Sequence, residues 1–249
     1  MENKKAEVDI ILPNFNSFKF IDETIQSIIN QNYTKWKLII IDDNSNHETK
    51  NKIRKYEKLK KIKIFWLKKN KGAAYCRNFA IKKTNSNFIA FIDSDDVWEK
   101  NKLKKQISFM KKNNYSFTYT NYVTIGLKKR NIITPEKISY DKFIRNTSIA
   151  TSTMIVKRKI SKGVEFTNSK ICEDYFYKCK ILKRVKFAYR LNSNLCKYRI
   201  RRKSLQSNKL KNFYWIWKIN HKYNKLSFVD NLISLIFISF NSLRKYGFK

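Results

Sequence analysis

Phe88-Ile89-Ala90-Phe91-Ile92-Asp93-Ser94-Asp95-Asp96 is the stretch that decides how this chain folds. An apolar run stops abruptly at a group of acids. A run this short, with β-branched and aromatic residues, reads as a strand buried on both faces. The pattern occurs three times upstream. Val8-Asp9-Ile10-Ile11-Leu12 stops at Pro13, Leu38-Ile39-Ile40-Ile41 stops at Asp42-Asp43, and Ile62-Lys63-Ile64-Phe65-Trp66 leads to Asn70-Lys71-Gly72. Segments of helical period lie between the runs. Residues 20–31 set Ile21, Ile25, Ile28 and Ile29 on one face; residues 48–59 set Ile53, Tyr56 and Leu59; residues 72–84 set Ala73, Ala74, Ala80 and Ile81. Strands recur at the spacing of βαβ crossovers, which join parallel strands. An α/β chain with a mainly parallel sheet flanked by helices is expected.

Downstream the pattern loosens. Residues 100–113 read as a helix with Leu103, Ile107 and Met110 on its core face. Residues 116–122, 152–156, 185–189 and 195–199 read as short strands, and 170–182 as a helix carrying Glu173-Asp174. The tail differs. Residues 209–225 interleave bases with Phe213, Tyr214, Trp215, Ile216 and Trp217. Residues 226–243 then repeat Val229, Leu232, Ile233, Ile236, Phe240 and Leu243 at helical spacing, with Asp230, Asn231, Ser234 and Asn241 opposite. A spanning helix needs ~20 predominantly apolar residues, and this stretch is shorter and interrupted. It reads either as an amphipathic interfacial helix or as a C-terminal helix packed on the domain. The expected division is a domain over 1–207 and a basic, aromatic helical tail over 208–249.

The chain has 249 residues, with 55 Lys and Arg against 19 acids, a formal charge of +36. Such a surface attracts polyanions: anionic lipid, phosphorylated substrates or nucleic acid. Part of the bias is compositional, since Lys, Asn and Ile are all abundant. Cys76, Cys172, Cys179 and Cys196 form no CxxC pair, and His47 and His221 are far apart, which argues against a zinc site. No apolar signal segment precedes the first strand, so a cytoplasmic domain is expected. Neither Gly-x-Gly-x-x-Gly nor Gly-Lys-Ser/Thr occurs, against a dehydrogenase or a P-loop enzyme. A nucleic-acid binder is the main rival reading, but the chain has no zinc-finger, RNP-like or basic heptad pattern.

In open α/β sheets, ligands bind beyond the carboxyl ends of the strands. Five of the 19 acids, Asp42, Asp43, Asp93, Asp95 and Asp96, fall on that rim. Asp93-Ser94-Asp95 offers hard oxygen ligands to Mg²⁺ or Mn²⁺, which hold diphosphates. Asp42-Asp43-Asn44-Ser45 suits base and ribose recognition, or a turn and helix cap. Asn70-Lys71-Gly72 opens a helix whose N-terminus favours phosphate, with Arg77 beyond it. Glu173-Asp174 can supply a general base.

Taken in order, these motifs resemble the family 2 glycosyltransferases, bacterial enzymes of the GT-A fold. The resemblance runs from residue 8 to about 207. It is carried by Pro13-Asn14-Phe15-Asn16 (Phe for the usual Tyr), Gln31-Asn32-Tyr33, Asp42 to Ser45, Asn70-Lys71-Gly72 with Cys76-Arg77-Asn78, Phe91 to Asp96, and Glu173-Asp174. It implies a nucleotide-sugar donor site of Pro13, Phe15, Asn16, Asp42, Asp43, Gly72, Arg77, Asp93, Ser94, Asp95, Arg199 and Arg201. Asp43 would contact uracil, Asp93 and Asp95 would hold Mn²⁺ or Mg²⁺, and Asp174 would be the catalytic base of a single inverting displacement. The expected partners are a UDP-sugar, a lipid-linked saccharide acceptor and an anionic membrane surface, with no nucleic acid. One departure stands out: Tyr198-Arg199-Ile200-Arg201 puts Arg where family members often carry His, and Ser204 and Ser207 follow.

Overall fold

The computed structural model describes residues 6–167, 169, 171–201 and 209–246. Ser204 and Ser207 lie outside the described residues. The four apolar runs become β1 (Val8–Asn14), β2 (Trp36–Asp42), β3 (Ile62–Trp66) and β4 (Phe88–Phe91). They alternate with α1 (Ile21–Ile29), α2 (His47–Arg54) and α3 (Ala73–Lys82). Then come β5 (Val97–Trp98), α4 (Lys102–Lys112), β6 (Phe117–Gly126), β7 (Arg130–Ile132), β8 (Lys137–Ile138) and α5 (Tyr140–Phe143). The chain continues through β9 (Ile155–Lys157), α6 (Arg158–Ser161), α7 (Glu173–Leu182) and β10 (Ala188–Ile200). The tail forms α8 (Lys209–Ile219) and α9 (Phe228–Tyr246), joined through a π-helical turn at Asn220–Asn224.

One sheet runs β3-β2-β1-β4-β9-β6-β10-β5, with β7 on β6 and β8 on β10. The first four strands are mutually parallel, as are β6 and β10; β9 is antiparallel to both β4 and β6. The period of two in a strand explains the layers. Ile10, Leu12, Leu38, Ile40 and Ala90 share a buried cluster with Ile21, Ile25 and Ile28 of α1 and with Leu103, Ile107 and Met110 of α4. Ile11, Ile39, Ile41, Ile89 and Phe91 share the other with Ala74 and Ala80 of α3 and Tyr175, Cys179 and Ile181 of α7. Ile216, Ile219 and Ile238 belong to that second cluster, so the tail shares the core of the domain. Asp9, buried near the start of β1, accepts the amides of Asn85 and Ser86 at 2.7 and 2.8 Å and so ties β1 to the turn that leads into β4.

Three local expectations change. Leu59 is exposed, because α2 gives way to a 3-10 turn at Lys55–Lys58 that rotates Leu59 off the Ile53 and Tyr56 stripe. The short strands expected at 185–189 and 195–199 are one strand, β10, whose register against β6 shifts at Leu191/Asn194 and Asn194/Lys197. Such bulges interrupt the alternation that marks a strand in sequence. The stretch expected as a strand from 152 starts as a 3-10 turn at Thr151–Thr153, and extended pairing begins at Ile155.

Candidate active site

The parallel connectivity brings the ends of β1, β2 and β4 to one rim. At the end of β1, Asn14 donates through Nδ2 to Asp42 Oδ1 at 2.7 Å, and Ser17 Oγ donates to Asn14 Oδ1. The Asn16 amide donates to Ser45 Oγ at 3.0 Å, and the Asn46 amide to Asn16 Oδ1 at 2.8 Å. Asn16 and Asn44 both have positive φ, a conformation Asn tolerates better than most side chains. Pro13 is buried at the end of β1, whereas the Phe15 ring is exposed beside it.

The two acids after β2 divide the work of holding this rim. Asp42 accepts from Asn14 and, through Oδ2, from the Ser45 amide at 3.0 Å. Asp43 accepts the amides of Lys71 and Gly72, one on each oxygen, both at 2.7 Å. Gly72 has φ of 85° and caps α3, a backbone conformation that costs glycine least. Asp43 therefore fastens the loop after β3 to the loop after β2. A uracil contact would have to use lone pairs these two amides leave over.

The acids after β4 point three ways. Asp93 Oδ1 accepts from Arg77 Nη2 at 2.6 Å, and Asp95 Oδ2 from Arg201 Nε at 2.7 Å. Asp96, the third acid, turns into the core, where Ser152 Oγ and the Arg199 amide donate to it at 2.5 and 2.8 Å. Burial, together with the charges of Asp95 and Asp93, pushes the Asp96 carboxyl well above the usual range. Asp96 thus ties β10 and the Thr151–Thr153 turn to the rim and presents nothing to a ligand. Ser94 is half-buried between Asp93 and Asp95.

Two arginines expected on the donor are committed elsewhere. Arg77 is buried, with its terminal nitrogens on Asp93 and on Glu173 Oε1 (2.7 Å) and the Phe166 ring 5.3 Å away. Burial alone would lower its pKa, but the carboxylates of Asp93, Glu173 and Asp174 hold it above its ordinary value. It serves as counter-charge to the acids beneath the rim, because the helix that follows the 70–72 loop carries it inward. Arg199 donates to the Asp95 carbonyl at 2.8 Å and to Glu23 at 2.6 Å, over the Phe20 ring. Arg201, partly exposed and paired with Asp95, is the arginine that stands at the rim itself.

Asp174, in the first turn of α7, accepts on Oδ2 from Thr151 Oγ1 at 2.7 Å and from Lys178 Nζ at 2.6 Å. Burial would raise its pKa, yet the Lys178 ammonium, those two hydrogen bonds and Arg77 hold it down to about 2. Its neighbour Glu173 moves the other way: burial raises it, Arg77 opposes this, and the Asp174 charge adds to the rise. The two adjacent acids are therefore unlike, one kept ionised and one tied to Arg77. Lys178 and Thr151 were not singled out from sequence. Asp174 and Lys178, four residues apart on a helix, formed a readable pair; Thr151 carried no such signal.

Asp174 and Asp93 line a cavity of about 360 Å³. Its walls include Tyr122, Tyr175 and Tyr198, and also Phe213 and Ile216 of α8 and Ser239, Ser242 and Lys245 of α9. The tail thus closes one side of the site. Among the described residues, no three His, Cys, Asp or Glu are grouped as a metal cage. Asp93 and Asp95 each engage an arginine through one oxygen, so two hard carboxylates remain as donors. That set fits Mg²⁺ or Mn²⁺ bound together with diphosphate oxygens and water.

The family profile described as Glycosyl transferase family 2 matches residues 9–176. The chain is 34% identical over 248 residues to the UDP-Glc:alpha-D-GlcNAc-diphosphoundecaprenol beta-1,3-glucosyltransferase WfgD of Escherichia coli, covering 97% of this chain and 95% of WfgD. It superposes on TarS 1-349 of Staphylococcus aureus in complex with UDP-GlcNAc with a TM-score of 0.76 at 19% identity, over 98% of this chain and 73% of that one. It superposes on the mannosyltransferase PcManGT of Pyrobaculum calidifontis, in complex with GDP-Man and Mn²⁺, with a TM-score of 0.70 at 12% identity, over 99% and 77%. At those identities the two structures speak for the fold, a GT-A type α/β sheet flanked by helices.

Proposed function

The chain belongs to glycosyl transferase family 2, and on that premise we propose an inverting, metal-dependent transferase using a UDP-sugar. It moves a hexose or N-acetylhexosamine to a hydroxyl of a lipid-linked saccharide, in bacterial surface polysaccharide or lipopolysaccharide assembly. Its place is peripheral, on the inner face of the cytoplasmic membrane. The observation that carries this reading is that two unlike carboxylates line one cavity: Asp93, two residues before Asp95 after the end of β4, and Asp174, held ionised in the first turn of α7. The UDP-Glc donor and diphosphoundecaprenol-linked acceptor of WfgD support the two substrate classes, the UDP-GlcNAc bound to TarS supports the donor, and the Mn²⁺ of PcManGT supports the metal.

In this reading the UDP lies across the ends of β1 and β2, against Phe15, Asn16, Asp43 and Gly72. A divalent ion held by Asp93 and Asp95 would neutralise charge on the departing diphosphate. The acceptor hydroxyl enters the cavity on the other side, next to Asp174. Lys178 keeps Asp174 ionised at neutral pH, so the carboxylate is ready for the proton. A base of such low pKa takes it late, when bond formation to the anomeric carbon has made the hydroxyl acidic. Attack from the face opposite the diphosphate inverts the anomeric centre without a covalent enzyme intermediate. The protein contributes position and fixed charge.

The test is calorimetric titration of UDP into the full chain, with and without Mn²⁺, beside Asp95→Ala. Metal-dependent binding that the folded variant loses is the expected outcome. A folded wild type that binds no UDP with any divalent ion would remove the donor reading.

A further inference from the structure

The last helix is packed inside out. Its inward stripe carries polar residues: Asn231 and Ser234 are fully buried, alongside Ile238 and the partly buried Leu235. Asn220 of the π-helical turn donates to Asn231 Oδ1 at 3.1 Å and to Ser234 Oγ at 3.0 Å, and Ser234 donates to the Ile144 carbonyl at 2.6 Å. Asn241 reaches the Arg145 carbonyl at 3.1 Å. These bonds fix the rotation of α9 on the domain and leave its apolar stripe outside. Phe228 is 70% exposed, Val229 63%, Ile236 60% and Phe240 65%, with Leu232 and Phe237 also open. Four-residue steps from 228 through 232 and 236 to 240 put these side chains on one face. A water-facing helix has the opposite arrangement.

The charge around this face identifies what covers it. Residues 209–246 hold seven Lys or Arg (209, 211, 218, 222, 225, 244 and 245) against one acid, Asp230. Lys218, Lys222, Lys225 and Arg244 are exposed at the ends of the two helices. A chain of charge +36 repels its own copies, whereas an apolar stripe with basic flanks matches an anionic lipid surface. Among the described residues no helix is long and apolar enough to cross a membrane. The polar stripe is hydrogen-bonded to the domain, which leaves the apolar stripe along the outer side of α9. Its other face meets the cavity through Ser239, Ser242 and Lys245, beside Asp93 and Asp174.

We propose that the outer face of α9, from Phe228 to Phe240, seats in the headgroup region of an anionic bilayer. Seated there, it holds the cavity about one helix diameter, ~10 Å, from the lipid surface. This rests on the reading of the acceptor as lipid-linked and says how such an acceptor reaches Asp174: along α9, without leaving the bilayer.

The test is flotation of the full chain with phosphatidylcholine vesicles, with or without 30% ~(mole fraction) phosphatidylglycerol. The comparison variant carries Leu232→Ser, Ile236→Ser and Phe240→Ser; none of the three lines the cavity. Expected are partitioning onto the anionic vesicles at least ~10-fold above neutral ones, and loss of at least ~10-fold in a variant that keeps its melting temperature. A variant that floats like wild type would show that net charge alone binds lipid, and would overturn the proposal. So would a wild type that ignores vesicles, or one whose stripe instead mediates dimers by light scattering. UDP titration is read separately: flotation without UDP binding leaves this surface standing and removes the donor reading, and UDP binding without flotation does the reverse.

Discussion

Arg77→Met should make stability depend on pH in a way that can be worked out beforehand. The substitution keeps a long side chain and removes the charge that Asp93 and Glu173 share. Glu173 has a side chain only 16% exposed and lies next to ionised Asp174, so it cannot stay charged cheaply without Arg77. Its escape is to bind a proton. At pH 7 that costs about 3.4 kcal/mol, at ~1.36 kcal/mol per unit above its ordinary value of 4.5. This is a ceiling on the loss from Glu173, in the range of ~3–5 kcal/mol known for broken buried pairs. Asp93 is better solvated and adds less. The sign follows from proton binding. Folded Glu173 in the variant has a raised pKa, so it keeps a proton that the unfolded chain releases above 4.5. The variant therefore loses stability as pH rises and recovers it towards pH 5, where the same cost is about 0.7 kcal/mol. Burial already raises wild-type Glu173, so the gap between the proteins widens most above that raised value. Urea unfolding of both proteins at pH 5, 6 and 7, followed by far-ultraviolet circular dichroism, measures it. A difference that stays flat from pH 5 to 7 would mean that Glu173 is not held by Arg77.

Three further substitutions probe the chemistry. Asp174→Asn should lower sugar transfer by about 10²–10⁴-fold and leave UDP affinity unchanged by calorimetry; near-normal turnover would remove Asp174 as the base. Lys178→Met takes away the main charge holding Asp174 at about 2, so the acid limb of kcat/KM should move up by one or more ~pH units; an unmoved limb would show that another group sets it. Arg201→Ala releases Asp95 from its ion pair and should tighten Mn²⁺ binding without nucleotide several-fold, read by electron paramagnetic resonance. Unchanged Mn²⁺ affinity would show that Arg201 does not compete for Asp95.

Much of this protein was legible one residue at a time. Continuous apolar runs such as Ile10-Ile11-Leu12 and Leu38 to Ile41 mark strands buried on both faces, and their periods of two and 3.6 assign the layers without any coordinates. The acids that end those runs, Asp42, Asp43, Asp93 and Asp95, fall on one rim because parallel strands all finish on the same side. What one sequence position cannot state is direction and partner. Arg77 and Arg201 are the same residue type near the same acids, but α3 carries the first into the core and the end of β10 leaves the second at the rim. Asp95 and Asp96 are neighbours, yet backbone geometry points one at the site and the other at Ser152. Lys178 sets the ionisation of Asp174, and Thr151 reaches that carboxylate from 23 residues away. The tail shows the same limit. Its helical period and two faces were visible in sequence, but period alone left open whether the apolar face packs on the domain or lies at a membrane interface. Only the buried hydrogen bonds of Asn220, Asn231 and Ser234 decide that it faces out.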